Sequence, residues 1–253
     1  FGLGYSPSSK PFAASEEYVP TLFEAAQKQG FKQEFLIATG PCFEHNTGRV
    51  LDKFYERVMF PIHSLSGRVI AFGGRTLRED KSVAKYMNSP ESEVYHKSNS
   101  LYGIFFAKSA ISKLQKCYLV EGYTDVISMH QAGIENVVAS SGTSLTVEQI
   151  RLIRRFSNKV TVLYDGDAAG IKASLRGIDM LLEEGLEIKV VLLPDGEDPD
   201  SFARSHTAEQ IRDFLDTHEK DFIDFKYELL SSSIDRDPLR RSELIREIIK
   251  SIA

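Results

Sequence analysis

The sequence predicts an α/β fold, mixed α+β overall. A parallel sheet flanked by helices is preceded by a mixed α+β N-terminal subdomain and followed by a helical C-terminal segment. Three observations carry that expectation. Between Cys117 and Leu193 four short apolar runs alternate with helical patterns, the mark of a parallel sheet covered on both faces. Upstream, two β-rich runs separated by Ser66-Gly67 read as a hairpin. Beyond residue 206 the spacing is helical only, with Ile245, Ile248, Ile249 and Ile252 at i, i+3, i+4 and i+7. The expected division is therefore 1–115, 116–205 and 206–253.

Taken in order, residues 1–48 read as loop with short helices over Thr21–Gln29 and Lys32–Thr39. Arg57–His63 and Arg68–Phe72 are the hairpin strands, and residues 76–100 are polar and irregular. Cys117–Val120 is a strand ending at Glu121, followed by a helix over Thr124–Ala132 and a strand over Asn136–Ser140. Thr146-Val-Glu-Gln149 has capping-box spacing and opens a helix to Phe156. Val160–Tyr164 is a strand ending at Asp165. Ala168–Leu182 is a helix with Ile171, Leu175, Ile178 and Leu182 on one face. Ile188–Leu193 is the last strand, and Asp198-Pro199 reads as an N-cap with proline at the first helical position.

Bulk properties narrow the class. A chain of 253 residues can bury a sizeable core. Its 42% hydrophobic and 26% charged content is ordinary for a soluble globular protein. No apolar run approaches the ~18 residues of a membrane span, and no signal peptide is visible; a cytoplasmic protein is expected. The chain starts at Phe1 and stops at Ala253 inside a helical pattern, which reads as a piece of something longer. Cys42 and Cys117 lie far apart, so neither a zinc cluster nor a disulfide framework is expected. Both read as small buried residues. The net charge of −5 argues against a simple basic nucleic-acid binder. Its distribution is uneven. Residues 1–115 hold 14 Lys and Arg against 11 Asp and Glu, whereas residues 116–253 hold 17 against 25. A basic half suits phosphates and an acidic half suits cations, although solvated surface explains the counts alone as well.

The acids sit where chemistry is expected. Ligands of open parallel sheets bind beyond the carboxyl ends of the strands. Glu121 ends the first strand, with Asp125 on the following helix. Asp165-Gly-Asp167 ends the third, and Asp195-Gly-Glu-Asp-Pro-Asp200 follows the fourth. Converging carboxylates raise one another's pKa unless cations share the site, and oxygen-only ligands favour Mg²⁺ or Mn²⁺. Two such ions ~4 Å apart can activate a hydroxyl and stabilise a leaving pyrophosphate. Gly122 and Gly166 would permit sharp strand-to-helix turns. Each acidic segment taken alone is the ordinary material of turns and caps; three at successive strand ends are not.

At these residues a family resemblance enters. Glu121-Gly-Tyr-Thr-Asp125, Asp165-Gly-Asp167 and Asp198-Pro-Asp200 resemble the Toprim signature shared by bacterial primases, topoisomerases and some nucleases. The chain further resembles the DnaG-type DNA primase core through Phe1-Gly-Leu-Gly-Tyr-Ser-Pro7, Arg57-Val-Met-Phe-Pro61, Phe72-Gly-Gly-Arg75, Lys85-Tyr-Met-Asn-Ser-Pro-Glu91, Tyr95-His-Lys97 and Leu101-Tyr-Gly103, in that family's order. The resemblance runs from Phe1 to about Ala253. It implies a nucleotidyltransferase that makes short RNA primers from ribonucleoside triphosphates on single-stranded DNA. It implies metal ligands at Glu121, Asp125, Asp165, Asp167, Asp198 and Asp200, with Glu121, Asp165 and Asp167 catalytic and two or more Mg²⁺ or Mn²⁺ ions bound. Proton transfer by Glu121 stays open beside its metal role. Arg75, Lys85, Asn88 and Lys97 become nucleotide- and DNA-binding residues, whose phosphate contacts add affinity without reading sequence. Also implied are inhibition by guanosine tetraphosphate-type alarmones, zinc only in a separate N-terminal domain, and a replicative helicase bound through a separate C-terminal domain. One departure is Lys53-Phe-Tyr55, where many relatives carry further arginines; Tyr55 is given no binding role.

Two rivals stand beside this. One is another Toprim enzyme, which would relax or cut DNA; the other is a binding module without chemistry. Clustered acids argue against the second, because a surface that only binds phosphate gains nothing from negative charge. His45, His63 and His96 lack ligand spacing, and Tyr123 and Tyr164 are expected to pack.

Overall fold

The computed structural model describes residues 1–7, 20–80, 82–142, 144–165 and 179–231, together with Arg246 and Ile249. The chain divides into two compact units, Phe1–Ser100 and Leu101–Ala253. No helix among the described residues is long and apolar enough to cross a membrane.

The first unit is built on a four-stranded antiparallel sheet. β1 (Gly4–Ser6) pairs with the edge of the expected hairpin, β4 (Arg57–His63) and β5 (Val69–Thr76), and β6 (Tyr86–Asn88) closes the other side. Phe60 and Ile62 of β4 and Ala71 of β5 are buried. Gly67 supplies the left-handed turn residue at φ 88°. A separate ribbon pairs β2 (Cys42–Glu44) with β3 (Val50–Asp52). The helix α1 (Leu22–Lys28) starts with a capping box: Thr21 Oγ1 accepts from the Glu24 amide, and Glu24 reaches back to the Thr21 amide. Asp52 adds a long-range cap, its carboxylate accepting from the Leu22 and Phe23 amides at 2.6 and 3.0 Å. α2 (Gln33–Ala38) follows. Four strands of this unit, β1, β2, β3 and β6, are absent from the sequence expectation. Each has three residues, too few to show alternation, and each exists through its partner strand.

The second unit contains the parallel sheet. Its strands are β7 (Cys117–Val120), β8 (Val137–Ala139), β9 (Lys159–Tyr164) and β10 (Glu187–Leu192), with a two-residue antiparallel edge, β11 (Lys220–Asp221). Every residue of β7 and β8 and five of six in β9 are buried, as a sheet covered on both faces requires. The helices are α3 (Ile104–Leu114), α4 (Tyr123–Gln131), α5 (Val147–Arg154), α6 (Pro199–Ser205), α7 (Ala208–His218) and α8 (Phe222–Ser231). The box at Thr146 forms with the spacing expected, and Asp198 is the N-cap expected before Pro199, completing a box with Ser201. The helix expected over Ala168–Leu182 lies mostly outside the described residues, as does most of 232–253; residues 179–183 are helical. Cys42, Cys117, Tyr123 and Tyr164 are buried.

The strand order is β11-β10-β9-β7-β8. Chain order therefore reverses between β7 and β9: β8 lies on one side of β7, and β9 and β10 on the other. That reversal opens a crevice at the carboxyl ends of β7 and β9.

At the amino ends of the strands, Glu219 gathers charge. Its carboxylate accepts from Thr161 Oγ1 at 2.8 Å and Lys189 Nζ at 3.2 Å, and meets Lys116 Nζ. Burial pushes the Glu219 carboxyl up, but the Lys116 and Thr161 hydrogen bonds outweigh it and hold the pKa below its usual value.

Candidate active site

Glu121 and Asp165 flank the crevice. Leu119 pairs with Val162 in the parallel register. Continued along both strands, that register sets Glu121 level with Tyr164, one residue before Asp165. Adjacent strands lie about 4.8 Å apart, so both carboxylates rise from neighbouring strand ends. Each residue is exposed. The turn after Glu121 is held by the Ser141 amide, which donates to the Glu121 carbonyl at 3.1 Å.

Asp125 lies one turn above Glu121 on α4 and is 9% exposed. Its Oδ2 accepts from the Gly122 amide at 2.8 Å, closing the N-terminal turn. Burial raises its pKa to about 6. The Gly122 hydrogen bond pulls the other way, and the carboxylates of Asp198, Asp165 and Asp200 push it further up. These three carboxylates come from two segments, one after β9 and one after β10, yet their fields reach one buried acid. Asp198 and Asp200 arrive on α6, which packs against α4. Asp198 caps α6, its Oδ1 accepting from the Ser201 amide at 2.7 Å. Asp200 accepts from Ser128 of α4 at 2.5 Å and lies 3.2 Å from Arg204. Asp167 lies outside the described residues.

Among the described residues no group of three or more acids, histidines or cysteines is close enough to hold a metal ion by itself; a magnesium-type site needs only one or two carboxylates beside water and substrate phosphates. The donor set, all carboxylate oxygen with a shared excess of negative charge, fits a hard divalent cation.

The basic residues belong to the first unit. Arg75 and Lys85 line a cavity of about 570 Å³ together with Thr76, Leu77 and Arg78. Arg75 lies over the Tyr86 ring, its cross-strand partner on β6, with 5.6 Å from guanidinium to centroid. Asn88 is half-buried on β6, opposite Gly73. Lys97 opens a short 3₁₀ turn, where its amide donates to Glu91 at 2.9 Å. In the sequence Arg57 stands at the start of a strand and within a family motif, with no role of its own. It is 4% exposed and its Nη1 donates to the carbonyls of Gly74, Ala84 and Lys85 at 3.2, 2.9 and 3.3 Å. It clamps the segment that carries Arg75 and Lys85. Nothing in its local sequence distinguishes a clamp from a surface arginine, because the three carbonyls lie 17 to 28 residues away.

Comparison with known proteins agrees with this architecture. Residues 1–108 match the family described as DNA primase catalytic core, N-terminal domain, and residues 118–203 match the Toprim-like family. A Toprim-like domain in a primase core implies use of divalent metal. The DNA primase of Clostridium acetobutylicum is 39% identical over 254 residues, and that of Aquifex aeolicus 42% identical over 217. The match covers all of this chain but 40% of the first relative, and 86% of this chain but 41% of the second. The chain thus spans about two fifths of these relatives' length. A crystal structure of a DNA primase domain from Pseudomonas aeruginosa superposes with a TM-score of 0.84 at 33% identity, covering all of this chain and 78% of that one. A DnaG primase catalytic domain bound to ssDNA superposes with a TM-score of 0.81 at 33% identity, covering 99% of this chain and 79% of that one. On the paired family matches and this full-length structural likeness, the chain belongs to the DnaG-type DNA primase catalytic-core family.

Proposed function

We propose that this chain synthesises short RNA primers from ribonucleoside triphosphates on a single-stranded DNA template, by metal-assisted nucleotidyl transfer. The observation that supports the proposal is the packing of α6, which brings Asp198 and Asp200, against α4, which carries buried Asp125, beside the strand ends of a Toprim-like sheet. Glu121, Asp125, Asp165, Asp167, Asp198 and Asp200 are the proposed ligands of two or more Mg²⁺ or Mn²⁺ ions. A divalent ion bound there supplies positive charge that lowers the pKa of the primer 3′-hydroxyl and offsets charge on the leaving pyrophosphate. Glu121, Asp165 and Asp167 are the proposed catalytic residues and would hold the ions. A proton-transfer role for Glu121 stays open beside its proposed metal role. Arg75, Lys85, Asn88 and Lys97 bind phosphates of nucleotide and template. Such contacts fix register and make affinity salt-dependent without reading sequence.

The functional division we propose is a basic subdomain (1–115), the Toprim domain (116–205) and a helical segment (206–253). The family matches over residues 1–108 and 118–203 support the first two. An Aquifex aeolicus primase structure comprises zinc-binding and RNA polymerase domains. We assign zinc to such a separate domain of a longer protein, helicase binding to another, and the site of action to the cytoplasmic replication machinery. The basic residues are also the proposed site of inhibition by a guanosine tetraphosphate-type alarmone.

The test is incubation with single-stranded DNA, the four ribonucleotides and Mg²⁺ or Mn²⁺. New RNA from the wild-type chain, lost in a folded Asp165→Ala variant, is the expected result. Undiminished synthesis by that variant removes the mechanism, and relaxed or cut DNA without RNA assigns the site to a different Toprim chemistry.

A further inference from the structure

Asp200 is gripped from two sides. Its Oδ1 accepts a 2.5 Å hydrogen bond from Ser128 Oγ, 72 residues away in sequence. Its Oδ2 lies 3.2 Å from the guanidinium of Arg204, one turn along α6. Ser128 stands on α4 three residues after Asp125, so the same helix face presents an acid of the proposed site and a donor to another. The Asp200 side chain is 17% exposed, whereas that of Arg204 is 68% exposed. The two partners differ in kind. The hydroxyl is neutral and half-buried; it fixes the orientation of the carboxylate and leaves its charge intact. The guanidinium is a cation on a mobile stem, and it competes with any other cation for that charge.

We infer that Ser128 is a positioning residue for the divalent-cation site, acting through Asp200, and that Arg204 opposes cation binding there. The inference rests on the metal reading of the acidic rim and deepens it. Outer-shell hydrogen bonds of this kind hold ligand oxygens at the geometry the ion requires, and their loss typically costs 10- to 100-fold in metal affinity. The two side chains then act with opposite sign. Removing the hydroxyl weakens cation binding, and neutralising the guanidinium strengthens it. A role confined to packing α4 against α6 would weaken binding in both cases or in neither.

The experiment is Mn²⁺ titration of the 253-residue chain without nucleotide, followed by electron paramagnetic resonance of the free ion, with thermal unfolding recorded on the same samples. Alanine is at least as good a helix former as serine, so Ser128→Ala is expected to fold. The expected result is about 10-fold weaker Mn²⁺ binding in Ser128→Ala, wild-type binding in Ser128→Thr, and tighter binding in Arg204→Gln. Asp165→Asn serves as the control and is expected to abolish binding. Wild-type affinity in Ser128→Ala beside loss in Asp165→Asn overturns the inference and leaves the metal reading standing. Weaker binding in Arg204→Gln also overturns it. Wild-type affinity in Asp165→Asn overturns the metal reading, and the inference with it.

Discussion

Asp125 should make the metal-free protein less stable as pH rises, and Asp125→Asn should abolish that dependence. Its folded-state pKa is raised from 3.8 to about 6. The stability it contributes is therefore fully present below the unfolded value and lost as pH rises through the folded one. The shift is about 2 pH units, which at 1.36 kcal/mol per unit makes the ionised group cost the fold roughly 3 kcal/mol above pH 6. The residue is 9% exposed, so solvent screening trims this figure only modestly. Asparagine keeps an oxygen for the Gly122 amide and removes the charge. The assay is urea unfolding by circular dichroism with EDTA present, from pH 4 to 8, in parallel with titration of the Asp125 carboxyl by carbon NMR. Stability of the variant relative to wild type should climb between about pH 4 and 6 and level off above, with a limit near 3 kcal/mol. Added Mg²⁺ should narrow the gap by stabilising the wild-type chain. A difference that does not change with pH, or a carboxyl that titrates near its ordinary value without metal, would refute the reasoning.

Other consequences follow from the same geometry. Lys226 is 1% exposed and donates to both oxygens of Asp179 at 3.0 and 3.2 Å. Asp179→Ala is expected to cost about 3 kcal/mol by removing that carboxylate, and Lys226→Met distinctly less, because the buried charge leaves with it; chemical denaturation ranks the two. Gly103 sits at φ 84° at the start of α3, where an added Cβ would come within 2.7 Å of Val126. Gly103→Ala should therefore destabilise by about 1–3 kcal/mol in the same assay. Arg75→Ala and Lys85→Ala should each weaken binding of single-stranded DNA. Each should also lower the slope of log affinity against log salt by about 0.7, read by fluorescence anisotropy across a salt series.

Much of this protein is written locally. The buried runs of β7, β8 and β9 announce a parallel sheet because strands covered on both faces need no polar alternation. The starts of α5 and α6 are legible because a capping box, or an N-cap followed by proline, is complete within four residues. Glu121 and Asp165 are legible for a similar reason, since each stands at the end of its own strand. Other features belong to the tertiary structure. β6 is three residues without alternation and becomes a strand by pairing with Gly73, Gly74 and Arg75. Arg57 and Ser128 find partners 17 to 72 residues away, beyond any local pattern. The order β10-β9-β7-β8, above all, decides which strand ends are neighbours. The sequence determined that several carboxylates would stand at strand ends. Only the fold decided that Glu121 and Asp165 flank the switch point, and that Asp198 and Asp200 are carried onto α4. Strand order depends on long-range pairing and helix packing, and so it sets the distances over which charges repel.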